Sequence, residues 1–259
     1  MKKVYFISWI ILIFICFSCK KDNPSTEKNI DSTTTTSKSN SNNSNTMIDG
    51  EGNNYKTVTI GNQTWMAENL KVTKYNDGTV IPNVTDATAW STLTTGAVCT
   101  YNNTTNADSI RTYGRLYNWY AVNTGKLCPT GWHVPSDVEW TPLQNYLVAN
   151  GYNYDGSTTG NYIAKSMAST TGWLSYSQTG TIGNNPTNNN KSGFTALPGG
   201  FRYGYGTFSS IGYNGYWWSS TENSTGGATN RTLSYDGDDL YGSSYEDKVV
   251  GFSVRCLRD

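Results

Sequence analysis

Residues 127–151 read LCPTGWHVPSDVEWTPLQNYLVANG. Ser136-Asp137-Val138-Glu139 has the form of a capping box, in which hydroxyl and carboxylate satisfy free backbone N–H groups at a helix start. Trp140, Leu143, Tyr146 and Leu147 follow at helical spacing on one face. Pro142 lacks the N–H that a second turn requires, so the alternative start has Thr141 as N-cap and Pro142 as the first helical residue. Asn150-Gly151 closes the helix. His133, the single histidine of the chain, stands just ahead of it between Trp132 and Val134. No Gly-x-Ser-x-Gly or His-x-x-x-His string accompanies it, so a hydrogen-bonded framework residue is expected there.

Outward from this helix the chain reads as short apolar or alternating runs broken by Gly and Asn. The run 56–60 stops at Gly61-Asn62 and resumes at 63–66, the pattern of a hairpin. Further strands are expected at 97–101, 193–197, 207–211, 215–219, 231–235 and 251–257. Leu116, Trp119 and Tyr120 have the spacing of a second short helix, and 162–168 reads as a third. The class is α+β, strand- and loop-rich with two or three short helices. No second linker and no fixed-period repeat interrupts 48–259, a length that suits one domain.

The chain has 259 residues, of which 15% are charged, against roughly 25% in typical soluble domains. Lys and Arg total 19, equal to Asp and Glu, so no charge excess recruits nucleic acid. One histidine and few charges leave little material for acid–base chemistry.

Residues 1–19 read MKKVYFISWIILIFICFSC. Lys2 and Lys3 precede an apolar run of about fourteen residues, too short for a membrane span but suited to a signal-peptide core. Ser18-Cys19 resembles a bacterial lipobox, in which Cys19 becomes the lipidated first residue of the mature protein. From Lys20 to Thr46, 18 of 27 residues are Ser, Thr or Asn. Such a segment buries too little apolar surface to offset its conformational entropy, and as a coil it would span on the order of 30 Å. The expected organisation is a signal peptide at 1–18, a lipidated cysteine and tether at 19–47, and a domain at 48–259.

Seven strings then carry a resemblance. They are IGNQTWMAENLKV (60–72), VCTYNN (98–103), YGRLYNWYAV (113–122), LCPTGWHVPSDVEW (127–140), SGFTALPGGFR (192–202), GYWWSST (215–221) and GFSVRCLRD (251–259). In order and wording they resemble the Fibrobacter succinogenes major paralogous domain family, found in lipoproteins of Bacteroidetes and Fibrobacteres and without a settled biochemical function. That family is similar to the C-type-lectin-like fold shared with formylglycine-generating enzymes. The resemblance implies that the first and last strands pair and that long loops above the sheet form a ligand site. It also implies a helix-to-last-strand disulfide, Cys128–Cys256, with Cys99 as the odd thiol; three buried thiols acting as small hydrophobes are the alternative. Nothing matches the copper-binding cysteine pair of those enzymes, so no enzymatic activity is expected by analogy. An outer-membrane lipoprotein is implied, on the periplasmic or the cell-surface side.

The segment 201–245 is the richest in aromatics. Tyr203, Tyr205, Tyr213, Asn214, Tyr216, Trp218, Arg231 and Tyr235 are the expected ligand-binding residues, among loops at 181–192, 203–214 and 222–245. Tyr brings contact area with few rotors while Ser, Gly and Asn adapt, a mixture that binding surfaces use. The same aromatics could equally fill a core that has only 7 Phe. Period-2 alternation sends Trp217 and Trp218 to opposite faces, so at most one should be fully buried. Asp236, Asp238 and Asp239 offer oxygens of the kind calcium takes. EF-hand spacing and the Glu-Pro-Asn, Gln-Pro-Asp and Trp-Asn-Asp strings of calcium-dependent lectins are absent, however, and Asp-Gly between strands is also a hairpin signal. Apart from calcium no cofactor is expected. The functional expectation is a membrane-anchored, non-enzymatic module binding a glycan or a cell-surface protein. A structural envelope or matrix component is the alternative, with an enzyme or a retroelement-diversified binder more remote.

Overall fold

The computed structural model describes residues 45–259, and Cys19, the signal segment and most of the tether lie outside the described residues. The strands are β1 (Thr46–Ile48), β2 (Asn54–Ile60), β3 (Gln63–Met66), β4 (Val98–Cys99), β5 (Leu116–Tyr117), β6 (Trp132–His133), β7 (Gly199–Arg202), β8 (Phe208–Ile211), β9 (Asn214–Glu222), β10 (Gly227–Ser234), β11 (Tyr241–Asp247) and β12 (Leu257–Arg258). The helices are α1 (Ala87–Ser91), α2 (Ala107–Tyr113), α3 (Trp119–Val122), α4 (Asp137–Ala149) and α5 (Ala164–Met167). Alternation in β2 buries Tyr55 and Thr57 while Asn54, Lys56 and Thr59 are exposed, and the Gly61-Asn62 turn returns the chain as β3, Ile60 opposite Gln63. β1 takes in Thr46 and Met47, residues assigned above to the tether.

The chain forms a mixed, strand-rich α+β domain with two five-stranded sheets. One has the order β1-β2-β3-β12-β6, so the C-terminal strand lies beside the N-terminal hairpin, Leu257 opposite Trp65 and His133. The other has the order β11-β10-β9-β7-β8. The segment 222–245, expected as a loop, is therefore mostly strand, because β10 pairs along its length with both β9 and β11. β7 and β9 run parallel and meet at Gly200 and Gly215. A Cβ at Gly200, whose φ is +63°, would stand 2.4 Å from the Ser209 carbonyl oxygen of β8, so only glycine fits where β7 passes β8.

Helix α4 is capped by Ser136, not by Thr141, because the capping box with Glu139 forms there. Pro142 stays inside the helix. The carbonyl it leaves without a partner is that of Val138, which lies on the exposed face within reach of water. The helix expected across 116–120 is instead strand β5 followed by the single turn of α3. The Asn118 side-chain oxygen causes the break by accepting from the backbone N–H groups of both Ala97 and Ala121. Helices α1 and α2, not expected from the sequence, are capped by Asp86 and Asn106. No strand forms at 193–197, where Thr195 has a φ of +58° and its carbonyl, like that of Phe194, accepts from Arg255.

The segment 251–257 is likewise not one strand. Gly251 bridges Arg202, Phe252 bridges Tyr117 and Ser253 bridges Trp217, after which Val254 and Cys256 accept from Leu70 and Met66. It passes from one sheet to the other residue by residue. Trp217 and Trp218 are both fully buried. They do point to opposite faces, but both faces of β9 are covered: Trp218 packs on Phe252 in the cluster that holds Trp119, and Trp217 on Phe194 in the cluster that holds Trp65 and Trp140. Cys128 and Cys256 form a disulfide, and Cys99 is a buried free thiol. Among the described residues no helix is long and apolar enough to cross a membrane.

Candidate functional site: an aromatic and acidic cleft

An aromatic series runs from the core to the surface at the β7–β8 turn. Phe201 meets Phe252, Tyr216 and Tyr203 at centroid distances of 5.9, 4.9 and 4.5 Å. Tyr203 stacks on Tyr205 at 4.7 Å and 13°. The turn that presents this pair closes through Gly206 N–H to the Tyr203 carbonyl. Gly206 has a φ of +96°, and a Cβ there would lie 2.5 Å from Ala87. One face of Tyr205 is covered by Tyr203; the ring is still 63% exposed, which leaves its outer face open.

This pair borders a cleft of about 310 Å³ that is also lined by Ser91, Glu246, Asp247 and Val249. Burial, with the Asp247 charge beside it, raises the Glu246 pKa above its ordinary value. Among the described residues neither carboxylate has an ion-pair or side-chain hydrogen-bond partner. Glu246 and Asp247 escaped the sequence reading because two adjacent acids at the end of a polar run carry no motif.

The other expected site residues go elsewhere. Trp218 is in the core, its Nε1 donating to the Tyr117 carbonyl at 2.8 Å, and is closed to a ligand. Tyr216 is half-buried and stacks on Phe252 at 4.9 Å. Arg231 reaches across to α4, where its Nη1 lies 2.6 Å from Asp137 Oδ1 and its Nη2 donates to the Asp137 carbonyl. Its charge anchors the helix start and is not free for recognition. Tyr213 and Tyr235 form a second surface group with Tyr176, at 5.3 and 5.5 Å from the Tyr235 ring, and Asn214 pairs with Ser234 next to it.

The acidic turn does not gather into a cation site. Asp236 accepts from the Ser234 hydroxyl, and the Gly237 and Asp238 carbonyls accept from Ile182 and Ala164. Among the described residues no three His, Cys, Asp or Glu side chains are placed to hold a metal ion. The turn clasps α5 and the 181–184 loop instead.

The family model described as the Fibrobacter succinogenes major domain matches residues 58–258. The chain belongs to this family. No curated protein and no solved structure matches it. Several of the strings quoted above meet in the interior. Asn69 of the first string receives hydrogen bonds from Trp217 of the sixth and Arg255 of the last.

His133 Nδ1 lies 2.6 Å from Asp259 Oδ1 and Nε2 lies 3.0 Å from Glu139 Oε1, so both ring nitrogens face carboxylates. Partial burial pulls its pKa down, but the bonds to Asp259 and Glu139 prevail and leave it raised. The Cys99 thiol is pushed up to about 12 by burial, with Arg202 pulling weakly the other way. A second hollow of about 390 Å³ beside β1 has its acids already engaged: Asp49 accepts from Glu51, Asn53 and Tyr55, and Glu51 from Thr73 and Lys74.

Proposed function

We propose that this domain is a non-enzymatic binding module that recognises a glycan at the Tyr203–Tyr205 cleft. The observation that carries the reading is the exposed outer face of Tyr205, stacked on Tyr203 beside two unpartnered carboxylates. A flat aromatic face suits the C–H face of a pyranose ring, and carboxylates accept from its hydroxyls. At about 310 Å³ the cleft is at the small end of ligand sites. A non-enzymatic role is supported by the state of the reactive side chains. His133 has both nitrogens engaged, and the Cys99 thiol is buried and protonated at neutral pH.

We further propose a C-type-lectin-like arrangement and a lipid anchor at Cys19 in the outer membrane. The adjacency of β12 to the N-terminal hairpin and the Cys128–Cys256 bridge support the first. The lipobox-like Ser18-Cys19 after a short apolar run supports the second. A glycan array probed with the full-length protein and with Tyr205→Ala tests the binding reading. Hits on the wild type that vanish in the variant are expected; a folded wild type that is blank on every glycan would overturn it.

A further inference from the structure

Resting on the reading of the cleft as a glycan site, we infer that the sugar it selects carries a free amine, an unacetylated amino sugar. The polar residues that line the cleft are Ser91, Tyr203, Tyr205, Glu246 and Asp247, with no cation among them. The nearest cation in sequence, Lys248, is turned away: it bonds Glu222 and the Thr225 carbonyl and lies 4.9 Å over the Trp119 ring.

Glu246 is half-buried with no partner of opposite charge, an arrangement that costs free energy until a cation arrives. An ammonium on a bound sugar supplies it and forms a charge-assisted hydrogen bond to the carboxylate. The same ammonium is attracted to the π face of Tyr205, which a neutral acetamido group would not be. Uronic, sialic and sulfated sugars bring negative charge against Glu246 and Asp247 and are repelled. The aromatic pair thus supplies affinity for a sugar ring, and the acids decide which ring.

The test is calorimetric titration of the full-length protein with a β-1,4-linked glucosamine hexamer and with its fully N-acetylated counterpart, at low and at high salt. The free-amine hexamer is expected to bind about ten-fold tighter at low salt, with the difference shrinking as salt rises. A Glu246→Gln, Asp247→Asn double variant should melt no lower than the wild type and lose the preference, while Tyr205→Ala should lose both ligands. If the acetylated hexamer binds as well as the free amine and both depend on Tyr205, the amine inference falls and the glycan reading stands. If the free-amine hexamer binds equally well to the double variant, its charge is recognised elsewhere and the inference also falls. Should neither bind, and the array be blank as well, both fall together.

Discussion

Asn69 Oδ1 accepts from Arg255 Nε at 3.1 Å while also accepting from Trp217 Nε1 at 2.9 Å. One amide oxygen thereby joins the segment after β3, the centre of β9 and the C-terminal segment. The Asn69 amide nitrogen donates to the Tyr113 carbonyl and the Ser253 hydroxyl, so every polar atom of the side chain is engaged. Arg255 is fully buried and, among the described residues, has no ion-pair partner. Its other donors go to the Phe194 and Thr195 carbonyls, and its plane lies 4.4 Å over the Phe194 ring. Burial pushes its pKa down to about 9.

Replacing Asn69 by Ala strands an indole N–H and a guanidinium N–H in the interior. Unpaired buried donors cost about 1–3 kcal/mol each, more when charged. Asn69→Ala should therefore lower the free energy of unfolding by roughly 2–5 kcal/mol in a urea titration.

The Cys128–Cys256 bridge spans a sequence separation of 128 residues. In the chain-entropy account, closing a loop of that length stabilises by about 4–5 kcal/mol. A Cys128→Ser, Cys256→Ser variant should lose stability on that scale by denaturant titration. Over residues 45–259, thiol counting on denatured protein should find Cys99 alone before reduction.

His133 gives the fold a pH dependence of known sign. Its folded pKa is raised above the ordinary value of 6.5, so protonation favours the folded state. That contribution is complete below 6.5 and is lost as pH rises through the raised folded value. Wild-type stability should fall across this window, and His133→Gln should flatten the slope in parallel urea titrations.

Trp218 and Tyr205 should separate stability from recognition. Trp218→Ala removes a fully buried indole and should cost about 3–5 kcal/mol. Tyr205→Ala removes a mostly exposed ring and should change stability by no more than about 0.5 kcal/mol. Melting temperatures of the two variants decide this.

What could be read from the sequence follows physical range. The β2–β3 hairpin and the α4 capping box are local patterns, and both were legible. The fate of Pro142 was not, since it depends on the solvent exposure of Val138. Trp217 and Trp218 were correctly sent to opposite faces, but that both faces of β9 are covered is a tertiary fact. The caps of α1 and α2, Asp86 and Asn106, are local signals that the sequence does carry. Arg231 is expected as a ligand-binding residue because its partner, Asp137, lies far away in sequence. The cleft is half visible in the sequence: Tyr203 and Tyr205 are among the expected residues, whereas Glu246 and Asp247 join them only through folding.

The central claim is that recognition is seated at the Tyr203–Tyr205 cleft. The most direct measurement titrates the strongest glycan from the array into wild type and Tyr205→Ala, with the melting temperature of each recorded alongside. The account predicts binding heat in the wild type, none in Tyr205→Ala, and matching melting temperatures. Equal affinity in the two proteins would contradict it.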